Sequence, residues 1–266
     1  MKIYDCITFF EENFLFDLRF KILNKHVDYF VICEAAYSHS GEKKQKLFDP
    51  SLYGEYKNKI IHLVLDRFPS DSNRWQRQDL QRDFIFNGIN DADKNDLILF
   101  SDSDEIPDPE KIKNLNFSNK YFLFEQKHFC YRFNIINSSE YYWEGTRACK
   151  KKDLKSFNWV RTKVKKQNLK YPFWRIDKEK NIELVKDGGW HFSYFLTPAQ
   201  ISKKISSSPH EEFINDVNLD IKNIEKKIIS LSDPLGRKRT FKKINETEIL
   251  PYEVSSNLEL YSKWFI

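Results

Sequence analysis

The chain has 266 residues, of which 40% are hydrophobic and 16% are aromatic. This length allows one large domain with a substantial core, and a content of only seven Gly and nine Pro excludes a low-complexity or linker-dominated chain. The formal charge of +5 is modest, and the basic residues either form solvated faces or favour an anionic substrate such as a nucleotide diphosphate. No recognised motif supports nucleic-acid binding.

Strand and helix signals alternate over the first hundred residues. Apolar runs predict strands over residues 3–9, 29–36, 60–65 and 97–101, and helical spacing predicts helices over residues 12–23 and from Asp71 or Ser72 to about Asn87. In the second helix we expect Leu80, Phe84 and Ile85 to face inward. The alternation predicts an α/β fold whose central sheet is mostly parallel and carries helices on both faces.

The pattern changes after Pro109. Long aromatic runs predict strands over residues 121–135, 141–150 and 183–195, and apolar residues at helical spacing predict a late helix through Ile221, Ile224, Ile228 and Leu231. We interpret residues 1–266 as a single domain. Its first half, residues 1–110, has the pattern of a nucleotide-binding unit, and its second half, residues 111–266, ends in the late helix and a charged tail.

Cysteine usage and the absence of targeting signals indicate the compartment. The four cysteines, Cys6, Cys33, Cys130 and Cys149, are scattered and have no zinc-ligand spacing, so buried free thiols in a reducing compartment are expected. The sequence after Met1 has no secretory apolar region, and no stretch approaches transmembrane length. We therefore expect a cytoplasmic protein with no transmembrane segment.

Four carboxylates lie directly after the predicted strand over residues 97–101, at Asp102, Asp104, Glu105 and Asp108. Like charges this close repel one another unless a cation compensates them. Open α/β sheets bind ligands beyond the carboxyl ends of their strands, and Mg²⁺-type ions combine few carboxylates with substrate phosphates. The sequence therefore predicts a divalent metal at Asp102 and Asp104, whereas Glu105 and Asp108 are expected to shape the turn or cap the next segment.

Two other interpretations compete with a metal site at Asp102-Ser103-Asp104. An EF-hand loop is excluded, because Pro107 and Lys113 occupy the positions that require Gly and Glu. A surface acidic turn without a ligand is the second alternative, since an isolated Asp-x-Asp is common. The position after a buried strand, within an alternating α/β pattern, favours the metal site.

A second candidate segment is Gly188-Gly189-Trp190-His191. Paired glycines let a backbone approach another closely and adopt unusual dihedral angles. A neutral imidazole from His191 could complete an oxygen-rich metal site. The alternative is that His191 is a histidine packed in the core.

A third candidate is the polar helix around residues 75–83. On a helix Gln78, Gln81 and Arg82 share a face, and Arg77 lies beside Gln81. These side chains could donate hydrogen bonds to a nucleotide and its phosphates, for which the planar guanidinium of Arg is well suited. The alternative is a solvated polar face.

Taken together, these segments resemble glycosyltransferase family 17. The resemblance extends from Tyr4 to about Ile229, and its most specific segments, in chain order, are residues 9–12 with 18–19, residues 31–35, residues 75–82, residues 102–107 and residues 189–191. Each segment alone is weak, whereas the order and spacing of all five are specific. The chain departs from the family in having Glu11-Glu12 where members often have Asn-Glu.

The resemblance implies a metal-dependent, inverting enzyme with a GT-A type, Rossmann-like fold. It implies that Asp104 with Asp102 brings Mn²⁺ or Mg²⁺ to the diphosphate of a UDP-sugar, such as UDP-GlcNAc, and that His191 completes the metal site. Glu34 would contact the nucleoside, and the residues implied to hold phosphate or sugar hydroxyls are Arg19, Arg77, Gln81 and Arg82. Residues 1–110 then bind the nucleotide sugar, and residues 111–266 face a glycan acceptor, for example a lipid-linked or surface polysaccharide precursor.

A carboxylate must accept the proton of the acceptor hydroxyl, and the sequence leaves three candidates open. Glu212 resembles part of a His-x-Glu element in related bacterial sequences and is the preferred choice. Glu144 lies beside Trp143, an aromatic suited to stacking on a sugar. Glu125 is the third candidate.

Two other functions remain as alternatives. A nucleotidyltransferase acting on sugar phosphates would carry a Gly-rich loop after the first strand, but residues 9–13 contain no Gly. A non-catalytic glycan-binding module would use the aromatic and basic residues and would not need the carboxylates.

Overall fold

The computed structural model describes residues 1–266 and contains one mixed sheet of eleven strands. The strands are β1 (Ile3–Phe9), β2 (Tyr29–Ala35), β3 (Ile60–Leu65), β4 (Leu97–Ser101), β5 (Glu105–Pro107), β6 (Tyr121–Cys130), β7 (Ile135–Asn137), β8 (Tyr142–Lys150), β9 (Ile182–Val185), β10 (Gly189–Ser193) and β11 (Phe241–Lys243). The α-helices are α1 (Asn13–Leu23), α2 (Arg74–Phe84), α3 (Pro109–Lys113), α4 (Phe157–Lys163), α5 (Pro198–Ser207), α6 (Asp216–Leu219), α7 (Ile221–Ile229) and α8 (Tyr252–Ser255).

The first four strands form the parallel part of the sheet, in the order β3-β2-β1-β4. Beyond β4 the sheet is mixed, because β8 pairs antiparallel with β4 and β6 pairs antiparallel with β8. Strands β9 and β10 then lie parallel to β6 at different parts of its length. The α/β class expected from the sequence is confirmed, but the prediction of a mostly parallel sheet is wrong, because the strands beyond β4 add antiparallel pairs.

Helices cover both faces of this parallel part. Because side chains alternate across a strand, β1 directs Ile7 and Phe9 to the core that α1 covers, and Cys6 to a second core on the opposite face. Ile85, at the end of α2, belongs to that second core. All four cysteines are free and buried, as the sequence predicted.

Two predicted strands of the second half are each divided in the structure. The run over residues 121–135 breaks at Tyr131, whose φ of 65° reverses the chain so that β7 folds back antiparallel onto β6. The run over residues 183–195 breaks between β9 and β10, where Asp187 has a φ of 49°. Aromatic and β-branched composition favours strand throughout both runs, so only the turns interrupt them.

Two helices near the functional cleft were not predicted, although both carry capping signals. At α5, Thr197 accepts a hydrogen bond from Gln200 and forms a capping box with it, followed by Pro198 at the first helical position. At α4, Ser156 caps the amide of Trp159. The predicted late helix is present as α7. None of the helices combines the length and the apolar composition that a membrane span requires.

Candidate active site

A cleft of about 300 Å³ opens beyond the carboxyl ends of β1 and β4, where the acidic turn lies. Its wall also includes α2, α5 and the segment after α5. The charged side chains that line it are four carboxylates, Glu12, Asp102, Asp104 and Glu105, and six cations, Lys44, Arg82, Arg161, Lys204, Arg237 and Arg239. The excess of cations suits a ligand that carries several negative charges.

Asp102 is bound by two arginines at the floor of this cleft. One Oδ atom lies 3.2 Å from Arg82 and the other lies 2.8 Å from Arg161. Burial alone would raise the pKa of Asp102, but Arg161 and Arg82 outweigh it and hold that pKa well below the usual range. Asp102 is therefore ionised at neutral pH.

Glu105 is fully buried and organises the acidic turn. Its carboxylate accepts hydrogen bonds from Trp143 Nε1 and Arg161, both at 2.7 Å, and from the backbone amide of Asp102 at 3.1 Å. Asp108 caps α3 by accepting a hydrogen bond from the amide of Glu110 at 2.9 Å. These contacts agree with the structural roles expected for Glu105 and Asp108.

Asp104 lies between a lysine and a histidine. One Oδ atom is 2.9 Å from Lys204 Nζ, and the other is 3.5 Å from His191 Nδ1. Lys204 also lies 2.9 Å from Glu12, so one ammonium group bridges two carboxylates. Burial raises the pKa of Asp104, but Lys204 and His191 lower it by more, so Asp104 is also ionised at neutral pH.

His191 is held rigidly beside Asp104. Its ring stacks on Trp143 with a centroid distance of 4.8 Å and an interplanar angle of 14°. Burial lowers the pKa of His191, so the imidazole is neutral at pH 7. Its Nδ1 atom is buried and has no hydrogen-bond partner, which leaves a nitrogen available to bind a cation.

The predicted close approach at the paired glycines is present in the structure. Gly189 has a φ of +126°, and a Cβ atom there would lie 2.2 Å from the carbonyl oxygen of Ile106. This contact lets β10 pair with β5, with His191 opposite Glu105. Only Gly fits this position without moving the backbone of the acidic turn.

The polar face of α2 contacts the cleft, as the sequence indicated for Gln78, Gln81 and Arg82. Gln81 bridges the carbonyl oxygen of Cys33 and the His39 ring, at 3.1 and 2.9 Å. The inward orientation predicted for Leu80 is wrong: this side chain is 40% exposed, because the buried positions of α2 are Gln81 and Arg82.

Three residues assigned to the nucleotide sugar are not brought to the cleft wall. Arg77 is bound to the carbonyl oxygen of His39 at 3.0 Å, Glu34 is fully buried and accepts the amide of Leu47 at 2.7 Å, and Arg19 is fully buried. Arg19 forms a two-point ion pair with Asp5, at 2.6 Å for both contacts. The polar groups of these side chains bind other groups of the protein. The geometry therefore corrects the assignment of Arg19, Arg77 and Glu34 to nucleotide-sugar binding.

None of the three candidate bases lines the cleft either. Glu125 is buried and lies 2.6 Å from Lys166, and Glu144 lies 3.5 Å from Arg147. Glu212 is 59% exposed and accepts a hydrogen bond from His210 Nδ1 at 2.8 Å, which lowers the pKa of Glu212. His210 itself lines the cleft, so the His-x-Glu element reaches it through the histidine.

Several charged or titratable cleft residues had no role in the sequence assignment, among them Glu12, Arg161, Lys204 and His210. The sequence contained indirect signals for two of them, because the capping residues of α4 and α5 place Arg161 and Lys204 on helices. Their contacts with the acidic turn are tertiary and span 56 residues for Glu105 with Arg161 and 100 residues for Asp104 with Lys204. No local pattern reports a contact of that range.

The fit of a divalent metal rests on Asp104 and His191. The unpartnered Nδ1 atom of His191 lies 3.5 Å from an oxygen of the ionised Asp104 carboxylate, so the two side chains offer one nitrogen and one oxygen donor to a cation. Asp102 is directed to Arg82 and Arg161, and no group of three or more His, Cys, Asp or Glu side chains is gathered at one point. Of the predicted set, the structure thus brings together Asp104 and His191.

Curated proteins that resemble this chain in sequence are N-acetylglucosaminyltransferases. The β-1,4-mannosyl-glycoprotein 4-β-N-acetylglucosaminyltransferases of Rattus norvegicus and Homo sapiens are each 29% identical to it over 116 residues. Those matches cover 40% of this chain and 22% of each relative, so the chain spans about a fifth of the length of these curated relatives.

Solved structures that are similar to this chain share little sequence identity with it, whereas a family model matches most of its length. S. aureus TarS 1-349 is 12% identical, with 77% of this chain and 63% of that chain covered and a TM-score of 0.38. A glycosyltransferase involved in the glycosylation of the major capsid of PBCV-1 is 11% identical, with 70% and 82% covered and a TM-score of 0.34. The family model described as Glycosyltransferase family 17 matches residues 1–249. The chain therefore belongs to glycosyltransferase family 17.

Proposed function

We propose that the protein transfers a sugar, GlcNAc, from a UDP-sugar to a hydroxyl group of a glycan acceptor, with inversion at the anomeric carbon and with the help of a divalent metal. The observation that carries the proposal is the ionised pair Asp102 and Asp104 at the end of β4, at the floor of a cleft rich in cations. Family membership supports glycosyl transfer, and the N-acetylglucosaminyltransferase activity named for the relatives supports GlcNAc.

The chain's own cations would bind the donor diphosphate. Arg82 lines the cleft and its Nε atom is buried without a hydrogen-bond partner, so it has a donor available for a phosphate oxygen. Lys204 pairs with both Glu12 and Asp104 and lies at the same wall. Together these side chains would hold the diphosphate at this wall of the cleft.

Asp104 and His191 would hold the metal, and Asp102 would support the site through Arg82 and Arg161. A bound divalent ion would neutralise the charge that develops on the leaving diphosphate. Glu105 keeps the turn in place by binding Trp143 and Arg161, and Trp143 in turn stacks on His191. Second contacts of this kind fix the orientation of the binding side chains.

For the acceptor we propose a lipid-linked or surface polysaccharide precursor, made in the cytoplasm. The four free, buried cysteines are consistent with a reducing compartment. Residues 1–110 would supply most of the donor side, joined there by His191 and Lys204, and the rest of residues 111–266 would face the acceptor.

Thermal stability with nucleotides tests the proposal directly. UDP or UDP-GlcNAc with Mn²⁺ should raise the Tm by several degrees, because ligands that bind only the native state stabilise it by mass action. UDP without metal should give a smaller shift. A shift with CTP and a sugar phosphate but none with UDP would favour a nucleotidyltransferase, and no shift with any nucleotide would favour a glycan-binding module.

For the base we propose His210, oriented by Glu212. The imidazole lines the cleft and its Nδ1 atom is bonded to the carboxylate, which leaves Nε2 to accept the proton of the acceptor hydroxyl. Replacing His210 by Gln should lower kcat by about 10²–10⁴-fold and leave UDP binding unchanged. Glu212→Gln should lower kcat less, because it removes only the orienting partner.

Initial rates with both variants separate this assignment from its rivals. Glu211→Gln is the matched control, since Glu211 pairs with Arg74 at 2.8 Å and does not line the cleft. If Glu212→Gln were as damaging as His210→Gln, Glu212 itself would be the base. If neither variant lowered kcat tenfold, Glu144→Gln and Glu125→Gln would be the next substitutions.

A further inference from the structure

A short segment on the second half of the chain exposes an unusual concentration of large apolar side chains. Between α4 and β9, Ile176 is 95% exposed, Phe173 is 86% exposed and Trp174 is 65% exposed. Leu169, four residues before Phe173, is 40% exposed. Scattered apolar residues on a surface are normal, but a cluster of this kind marks an interaction site.

The same segment carries a strong positive charge. Residues 163–180 contain seven Lys or Arg and two Asp or Glu, a net charge of +5 that equals the formal charge of the whole chain. One of the basic residues, Lys166, is paired with Glu125, and another, Arg175, is paired with Asp177. Lys163, Lys165 and Lys170 are exposed, and the structure gives them no ion pair.

The apolar tip stands on an ordered base. Val164 is fully buried and Asn168 is nearly so, and Asn168 donates a hydrogen bond to the carbonyl oxygen of Lys163 at 2.6 Å. On the far side of the tip, the amide of Lys120 binds Asn181 at 2.8 Å and fastens the return of the chain to the start of β6. The base is fixed by these contacts, while Phe173, Trp174 and Ile176 project into solvent.

We propose that residues 169–176 insert into the surface of an anionic membrane, with the neighbouring lysines on the lipid headgroups. Trp is favoured at the boundary between headgroups and acyl chains, and the transfer of exposed Phe and Ile side chains from water into the apolar layer is favourable. Lys near an anionic leaflet adds electrostatic attraction. The combination of projecting apolar side chains and unpaired lysines matches both parts of that surface.

This inference stands apart from the proposed glycosyl transfer, since none of the residues 169–176 lines the cleft. It would place the enzyme where an acceptor carried on a lipid is concentrated. Membrane binding and nucleotide binding can thus be measured and can fail independently.

Co-sedimentation of the full chain with vesicles tests the proposal. The protein should bind vesicles that contain about one third phosphatidylglycerol and show little binding to pure phosphatidylcholine. The Phe173→Ser/Trp174→Ser/Ile176→Ser variant should lose at least about tenfold in partition coefficient. Lys165→Glu/Lys170→Glu should lose a similar factor, and 0.5 M salt should weaken binding of the unmodified chain.

The control variant is Leu52→Ser, which removes an apolar side chain that is 77% exposed but lies outside the basic segment. It should bind anionic vesicles as the unmodified chain does. Tm values and UDP binding of every variant report folding, so a loss of vesicle binding with an unchanged Tm is the supporting result. Equal binding by the triple variant, or self-association of the unmodified chain that the triple variant abolishes without any vesicle binding, would overturn the proposal.

Discussion

Replacing Asp104 by Asn should lower kcat by at least about 10³-fold and remove the metal-dependent part of the stabilisation by UDP. Asp104 is the carboxylate that lies beside the unpartnered Nδ1 atom of His191, and it is held ionised by Lys204. An amide at this position keeps the shape of the side chain but loses the negative charge that a divalent ion requires. Initial rates and the Tm with UDP, with and without Mn²⁺, measure the two effects.

Asp108→Asn supplies the matched control, because it changes the same residue type four positions along the chain. Asp108 caps α3 and does not line the cleft, and Asn is as good a cap as Asp. Its kcat and metal response should stay near those of the unmodified chain. Turnover of Asp104→Asn within tenfold of the unmodified chain would remove Asp104 from the proposed metal site.

The acidic turn is a part of the site whose position could be predicted from the sequence alone. A buried apolar run followed directly by Asp102-Ser103-Asp104 is a local signal, and both the strand and its position at the sheet edge could be predicted from it. The close approach at Gly189 could likewise be predicted, because glycine lacks a Cβ atom and is needed where two backbones approach closely. In both cases one short segment contains the whole physical reason.

The roles of three arginines, in contrast, could not be predicted from the sequence. Arg19, Arg77 and Arg82 look alike in the sequence, yet only Arg82 lines the cleft. The three arginines differ in the partners that the fold brings to them. Arg19 on α1 forms an ion pair with Asp5 on β1, Arg77 donates a hydrogen bond to the carbonyl oxygen of His39, and Arg82 forms an ion pair with Asp102. The resemblance to a family implied a binding role for each arginine, but it gave no information on the tertiary partner that each one has.

Arg19 therefore yields a second prediction, in which the expected loss is of stability rather than activity. Arg19→Met should lower the free energy of unfolding by about 3–5 kcal/mol, because it leaves the fully buried Asp5 carboxylate without its partner. The same change removes a hydrogen bond to the carbonyl oxygen of Glu105, on the inner side of the acidic turn. Urea unfolding followed by tryptophan fluorescence measures the loss, and the KM for the donor should not change in the protein that remains folded.

The double variant Asp5→Leu/Arg19→Met distinguishes a buried pair from a substrate contact. Replacing both charges by apolar groups removes the uncompensated carboxylate, so the double variant should be more stable than Arg19→Met alone. Recovery should be incomplete, since the carbonyl oxygen of Glu105 still lacks its donor. A normal unfolding free energy for Arg19→Met together with a raised KM would return Arg19 to the donor site. Arg82→Met should have the opposite pattern, because Arg82 lines the cleft. It should raise the KM for the UDP-sugar and lower the free energy of unfolding by less than Arg19→Met does.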